Sequence, residues 1–228
     1  YHFTLSNMQR CLRLNDIDEI GDGTHLLQFN MIGFFSFREW SVQETINFFV
    51  QFLEKINCLP DYVTIHPDKI EEWSKFYNNR FEIRSDINCI WSDGNIGGYC
   101  TEFYKSDIEI GNIVNPLGTC IDVGFGFERL DYFVNKTPIL DKNQIIIETI
   151  KKMIEIGYKP SNLKQGYVLR KLLRIIWSNG FKIDHPFFEE EIVRQSKIIE
   201  KYNRLKDKHL NKSKEWWFST YGINIDDL

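Results

Sequence analysis

The sequence has no apolar run approaching the roughly 18 residues that a bilayer-spanning helix needs. Its first residues do not combine a basic stretch, an apolar core and a small-residue cleavage site, so nothing there reads as a signal peptide. A membrane protein is not expected, and the expected compartment is the cytoplasm. The five cysteines, Cys11, Cys58, Cys89, Cys100 and Cys120, form no Cys-x-x-Cys pair and have no nearby histidine pair. That spacing points to reduced thiols and to no metal ligands, zinc in particular. Two common phosphate cradles are also missing: no stretch carries the third glycine of the dinucleotide fingerprint or the Gly-Lys-Ser/Thr ending of a P-loop. There is no internal repeat and no low-complexity segment. The chain opens on Tyr1 rather than methionine, which leaves room for residues upstream.

What is present is 228 residues with 43% hydrophobic content, enough to bury a core in one or two domains. Charge is unevenly spread. Residues 1–135 carry 10 Lys+Arg against 20 Asp+Glu, whereas residues 136–228 carry 18 against 12. A basic second half could meet a polyanion, and it also fits solvated helix faces.

The first part reads mainly as strands. Gln9 to Leu14, Thr24 to Phe29 and Gly33 to Phe37 are strand-like and separated by a polar loop, Asn15 to Gly23, which suggests an antiparallel hairpin. Ser41 with Glu44 is a capping-box signature, and Ile46, Phe49, Val50, Leu53 and Ile56 give an amphipathic helix over about 42–57. Tyr62 to His66 is a strand, Pro67 starts a short helix, and Phe81 to Arg84 is a strand. Trp91 to Tyr99 is a glycine-rich loop that serves as a connector or, with Trp91 and Glu102 at its ends, lines a pocket. Strands at Cys100 to Tyr104 and Ile108 to Val114 follow. After Asn135 the pattern turns helical: about 143–156, 161–178 and 186–210, with Gly157 and Gly180 as stops. Strands first and helices after read as α+β, with domains at 1–135 and 136–228.

One stretch carries chemistry. Cys120-Ile121-Asp122-Val123-Gly124-Phe125-Gly126-Phe127-Glu128-Arg129-Leu130 runs from an apolar strand through two glycines into a helix. Glycines there allow close approach of a ligand, a guanidinium suits phosphate, and the carboxylate could hold a cationic group. The same residues also fit a plain turn followed by a solvated helix.

Four stretches in order resemble the class II alanyl-tRNA synthetases. Gln9 to Arg13, Asn15 to Gly21 and His25 to Phe37 look like motif 2, and Asp122 to Leu130 looks like motif 3. Pro160-Ser161-Asn162 with Gly166 to Lys171 resembles the signature of the helical tRNA-recognition domain, and Thr220 to Leu228 the segment closing it. The resemblance implies an antiparallel sheet with flanking helices for adenylation, followed by an all-helical domain. It also implies roles: Arg13 on the α-phosphate of ATP, His25 near the outer phosphates, Phe29 on adenine and Arg129 on the γ-phosphate, with Arg13 and Arg129 catalytic. Asp122 would meet the α-amino group of alanine or another small amino acid, beside Trp91, Asn112 and Gly124. ATP and Mg²⁺ are the implied cofactors, and a tRNA acceptor stem the implied partner of the basic half, with Asn162 matching a stem-contacting asparagine.

The sequence departs from that family in several places. Motif 1 has no counterpart, the motif 2 loop is shortened before Asn15, and Thr24 and Asn30 stand where the family has arginine and glutamate. The Trp91-to-Glu102 loop and the stretch from Gly166 to Thr220 are short, and no editing domain follows. Three readings remain open: an enzyme that charges tRNA, a paralogue that passes the activated amino acid to another acceptor, and a non-catalytic tRNA-binding module.

Overall fold

Two ten-residue strands, β1 (Phe3–Leu12) and β2 (Gln28–Phe37), pair antiparallel from Phe3↔Phe37 to Leu12↔Gln28. They open the fold in a computed structural model that describes residues 2–14, 17, 19–22, 24–138 and 140–225. Asn15, Asp16, Asp18 and Gly23 of the expected polar loop, and Asp226, Asp227 and Leu228 of the expected closing segment, lie outside the described residues. The chain divides into two compact units, Tyr1–Leu140 and Asp141–Leu228.

The first unit holds a mostly antiparallel eight-stranded sheet. Beyond β1 and β2 it contains β3 (Tyr62–Ile65), β4 (Glu82–Ser85), β5 (Ile90–Asp93), β6 (Ile96–Lys105), β7 (Ile108–Pro116) and β8 (Cys120–Gly126). The order is β1-β2-β8-β7-β6-β3-β4, with β5 paired to β6. Among the described strands only β3 and β4 run parallel, because α2 (Pro67–Trp73) and a short 3₁₀ turn (Ser74–Tyr77) lie between them as a crossover. β1 is an edge strand whose Phe3, Leu5 and Met8 are exposed.

The helix predicted from Ser41 is α1 (Val42–Lys55). Ser41 Oγ accepts the Glu44 N–H (3.2 Å) and the Glu44 carboxylate accepts the Ser41 N–H (2.8 Å), so two orphan donors of the first turn are satisfied. Ile46, Phe49, Val50 and Leu53, spaced at three and four, are buried on one face. Against them lie Ile121, Val123 and Phe125 of β8, with Phe34, Phe103 and Ile113. The Phe125 ring stacks on Phe49 at 5.3 Å and meets Phe103 at 5.5 Å.

Two expectations differ from the structure here. Trp91 to Tyr99 is not a loop but the β5–β6 hairpin, turned by Gly94 and Asn95, with Gly94 at φ 59° as a two-residue turn demands. Thr24 to Leu27 precedes β2 rather than forming part of it, because the Asp22 carboxylate accepts the Thr24 (2.7 Å) and His25 (2.9 Å) N–H groups and holds a turn. α3 (Phe127–Asn135) follows β8 directly.

The described residues of the second unit form α4 (Lys142–Glu155), α5 (Lys164–Ser178), α6 (Pro186–Leu205) and α7 (Lys214–Tyr221). α4 starts at a capping box of Asp141 and Gln144. α5 starts three residues later than its periodicity suggests, because Ser161 Oγ accepts the Leu163 N–H in a turn of its own (3.3 Å). α6 ends at Leu205, and α7, too short to show a period, was not expected. Arg170 and Arg174 on α5 pair with the buried Glu191 of α6 (2.8 and 3.1 Å), and Arg170 also donates to Asn162 Oδ1. No described helix is long and apolar enough to cross a membrane.

Among the described glycines of the sheet, Gly111 is the tightest. A Cβ there would lie 2.2 Å from the Phe125 ring. Gly111→Ala is expected to destabilise the protein by about 1–3 kcal/mol, read as a lower midpoint in urea unfolding with unchanged slope.

Candidate active site

Alternation along β8 separates core from site. Ile121, Val123 and Phe125 are buried toward α1, so Asp122, Gly124 and Gly126 fall on the opposite face. β2 places Gly33 opposite Gly124 and Met31 opposite Gly126, while β7 places Asn112 opposite Gly124. These strands floor a cavity of about 100 Å³, with Arg13, Thr24, His25, Phe29, Glu109 and Glu128 among the residues around it. Arg129, on the first turn of α3, also lines it.

Six residues proposed from sequence meet at this cavity: Arg13, His25, Phe29, Asn112, Gly124 and Arg129. They come from β2, its lead-in loops, β7, β8 and α3, up to 116 positions apart in sequence. Two do not line it. Asp122 lies on the same face two residues before Gly124, opposite Phe35 and Val114. Trp91 sits on β5, beyond β6, and is exposed.

The charged groups are held largely by backbone. Arg129 Nη1 donates to the Glu109 carbonyl (2.6 Å) and its Nε to the Thr24 carbonyl (3.3 Å), with the Glu109 carboxylate 3.8 Å away. The Glu128 carboxylate accepts the Asn30 backbone N–H at 3.0 and 2.9 Å and the Asn30 side-chain N–H at 2.9 Å. Thus Asn30 and Thr24, the two departures from the resembled motif, are the partners of the acid and the base of α3. His25 Nδ1 faces Asp22 and its Nε2 faces Glu19 at 3.2 Å. Burial pushes the Asp22 carboxyl up, but hydrogen bonds from His25 and Thr24 outweigh it and hold the group far below the usual carboxylate range.

Glu109, Glu128 and Met31 line the cavity but were not singled out as site residues by sequence. Glu128 lies inside the glycine-flanked stretch, so its proximity was readable. Glu109 shows in sequence only as a polar residue between two isoleucines, and its role depends on the neighbouring strand. Asp122 has no hydrogen-bond or ion-pair partner among the described residues, and burial raises its carboxyl. Burial also raises Glu109, as does the Glu102 charge, while Arg129 and Arg13 pull it back.

A raised carboxyl means that the fold disfavours the ionised form. The stabilising contribution of Glu109 is therefore full at pH below the ordinary carboxylate range and is lost as pH rises through the raised value. Glu109→Gln is expected to melt higher than the parent protein at neutral pH and to match it in acid, in paired thermal melts across pH.

Parts of the chain are similar to known proteins. Residues 3–96 match the family described as tRNA synthetases class II (A). Among curated proteins, the chain is 28% identical over 242 residues to an alanine–tRNA ligase of Tropheryma whipplei, covering 76% of this chain and 28% of that protein. It is 27% identical over 276 residues to one of Desulfitobacterium hafniense, covering 87% of the chain and 32% of the relative. It is 26% identical over 315 residues to one of Pseudoalteromonas translucida, covering 98% and 36%. The chain spans about a third of the length of these relatives. The last alignment has more positions than the chain has residues, so that relative contains segments this chain lacks. The chain is thus similar in part to class II tRNA synthetases and to about a third of the length of alanine–tRNA ligases.

Proposed function

We propose that this chain activates alanine or another small amino acid with ATP, forming an aminoacyl-adenylate, and passes the aminoacyl group to tRNA. The observation that carries the reading is the meeting of Arg13 and Arg129 at one cavity with Phe29, Asn112 and the side-chain-free Gly124. Cations for phosphate, a ring for a base and a small pocket floor are the parts that this reaction requires.

In this reading the amino acid's carboxylate oxygen attacks the α-phosphorus, and pyrophosphate leaves with the P–O bond's electron pair. No protein nucleophile is needed, since alignment and positive charge lower the barrier. Arg13 steadies the α-phosphate and Arg129 the γ-phosphate, its guanidinium held in place by the Glu109 and Thr24 carbonyls. His25 lies by the outer phosphates and Phe29 stacks on adenine. Asp122, half-buried with no cation beside it, accepts the substrate ammonium, which would compensate the cost of its burial. Gly124 and Asn112 bound the side-chain pocket; a Cβ on Gly124 would lie 3.0 Å from Met31 Sδ and narrow the floor. Trp91, on β5 beyond β6, is the least supported member of the amino-acid set.

Glu109 and Glu128 line the cavity and supply the carboxylate oxygens that Mg²⁺ prefers, so the residues fit that ion. An Mg²⁺ ion held by them would neutralise phosphate charge.

The first unit then carries adenylation, and the basic helical residues after it, with Asn162, meet the acceptor stem. A second reading, transfer to an acceptor other than tRNA, draws support from the segments this chain lacks relative to the Pseudoalteromonas translucida protein.

Arg129→Ala is expected to lower amino-acid-dependent exchange of pyrophosphate into ATP by about 10²–10³-fold or more, with an unchanged circular dichroism spectrum. Normal exchange in that variant removes Arg129 from the site. Exchange with alanine but no charging of alanine tRNA would favour the second acceptor, and no exchange with any small amino acid would overturn both readings.

A further inference from the structure

Cys89 and Cys100 are eleven residues apart in sequence yet face one another across the β5–β6 hairpin. The Cys100 N–H donates to the Cys89 carbonyl (2.9 Å), one step beyond the Ile90–Tyr99 pair. Glu102 follows Cys100 by two residues on the same strand, so it points to the same face. The two Sγ atoms and a Glu102 carboxylate oxygen all lie within 4.8 Å of one another. Both cysteines are buried, in a small cluster with Val114 that is separate from the main core, and Glu102 is partly exposed.

The groups around this trio orient it. Thr64 Oγ1 on β3 accepts the Cys89 thiol (3.0 Å) and donates to Glu102 Oε2 (3.2 Å). The Tyr104 hydroxyl donates to the same oxygen (2.8 Å). Oε1 faces the Cys100 thiol at 3.9 Å. One carboxylate oxygen is thus fixed by two hydroxyls while the other is turned toward sulfur. This is the outer-shell pattern that holds a carboxylate ligand in place.

We propose that Cys89, Cys100 and Glu102 bind one thiophilic divalent cation of the zinc class, with water in the fourth position. Two thiolates select such an ion over Mg²⁺ or Ca²⁺, which take oxygen ligands. With Zn–S near 2.3 Å, tetrahedral ligand atoms lie about 3.8 Å apart. The trio therefore closes on the ion by moving about 1 Å, within the reach of side-chain rotation. Binding breaks two S–H bonds, releases two protons and forms two metal–thiolate bonds. Glu102 lies opposite Asn112, which lines the candidate active site, so the ion would brace the strand beside that cavity. The proposal does not rest on amino-acid activation, and its test uses no ATP.

The test is a Co²⁺ titration of the full chain, reduced and stripped of metal by a chelator. A thiolate-to-cobalt charge-transfer band with tetrahedral d–d absorption should saturate at one equivalent and bleach on adding Zn²⁺. Cys100→Ser, with Cys89 as the one remaining thiolate, should lose at least half of the thiolate band. Even outer-shell changes cost about 10–100-fold in metal affinity, so Glu102→Gln should weaken Co²⁺ binding at least about tenfold. Circular dichroism of the metal-free variants checks their folding, and Glu102→Gln decides the matter if the buried serine disturbs it. A parent protein with no thiolate band, a band unchanged in folded Cys100→Ser, or unchanged affinity in Glu102→Gln overturns the proposal. So does reduced protein that ignores Co²⁺ yet forms a Cys89–Cys100 disulfide in air.

Discussion

Phe125 occupies the space that a side chain at position 111 would need, and much of the first unit depends on that fit. The ring is fully buried between the sheet and α1, stacked on Phe49 and tilted against Phe103. Once it is seated, alternation sends Asp122, Gly124 and Gly126 to the opposite face. It also fixes how β7 lies against β8, since sliding by one residue would put Ile110 or Asn112 where only glycine fits. One packing contact therefore decides both the core and which residues floor the cavity.

The second constraint is electrostatic. The first turn of α3 carries an acid and a base, and each is bound to a different strand or loop. Glu128 is anchored on Asn30 of β2, and Arg129 on the carbonyls of Thr24 and Glu109. Charge-assisted hydrogen bonds to backbone are stronger than neutral ones and hold a direction. The guanidinium is thus aimed before any ligand arrives, and its anchor, Glu109, carries a carboxyl that burial and the Glu102 charge push up.

Much of this was legible in the sequence for identifiable reasons. The capping box of Ser41 and Glu44, the spacing of Ile46 to Leu53 and the proline at 67 are local signals, and the corresponding helices are present. Arg13, His25, Phe29 and Arg129 were linked only through resemblance to a family, because no periodicity relates residues so far apart. The Trp91–Tyr99 stretch misled because glycines suggest a loop, whereas here one turns a hairpin and others sit inside β6. Gly98 has no room for a side chain beside the Asn115 carbonyl, a reason for glycine that only the paired strand reveals. Glu109 and the Cys89–Cys100 pair were hidden for the same cause, since their neighbours come from other strands.

β1 has a further consequence. It pairs with β2 on one side only, and the described sheet ends there. Its outward row of N–H and C=O groups is a template on which another extended chain can add. Ser6, Asn7, Gln9 and Arg10 interrupt its apolar residues, a composition that discourages indiscriminate pairing while Phe3, Leu5 and Met8 remain in water. The same strand leads into Arg13 and lies opposite Met31, so a chain added at this edge would press on a wall of the cavity as well as lengthen the sheet.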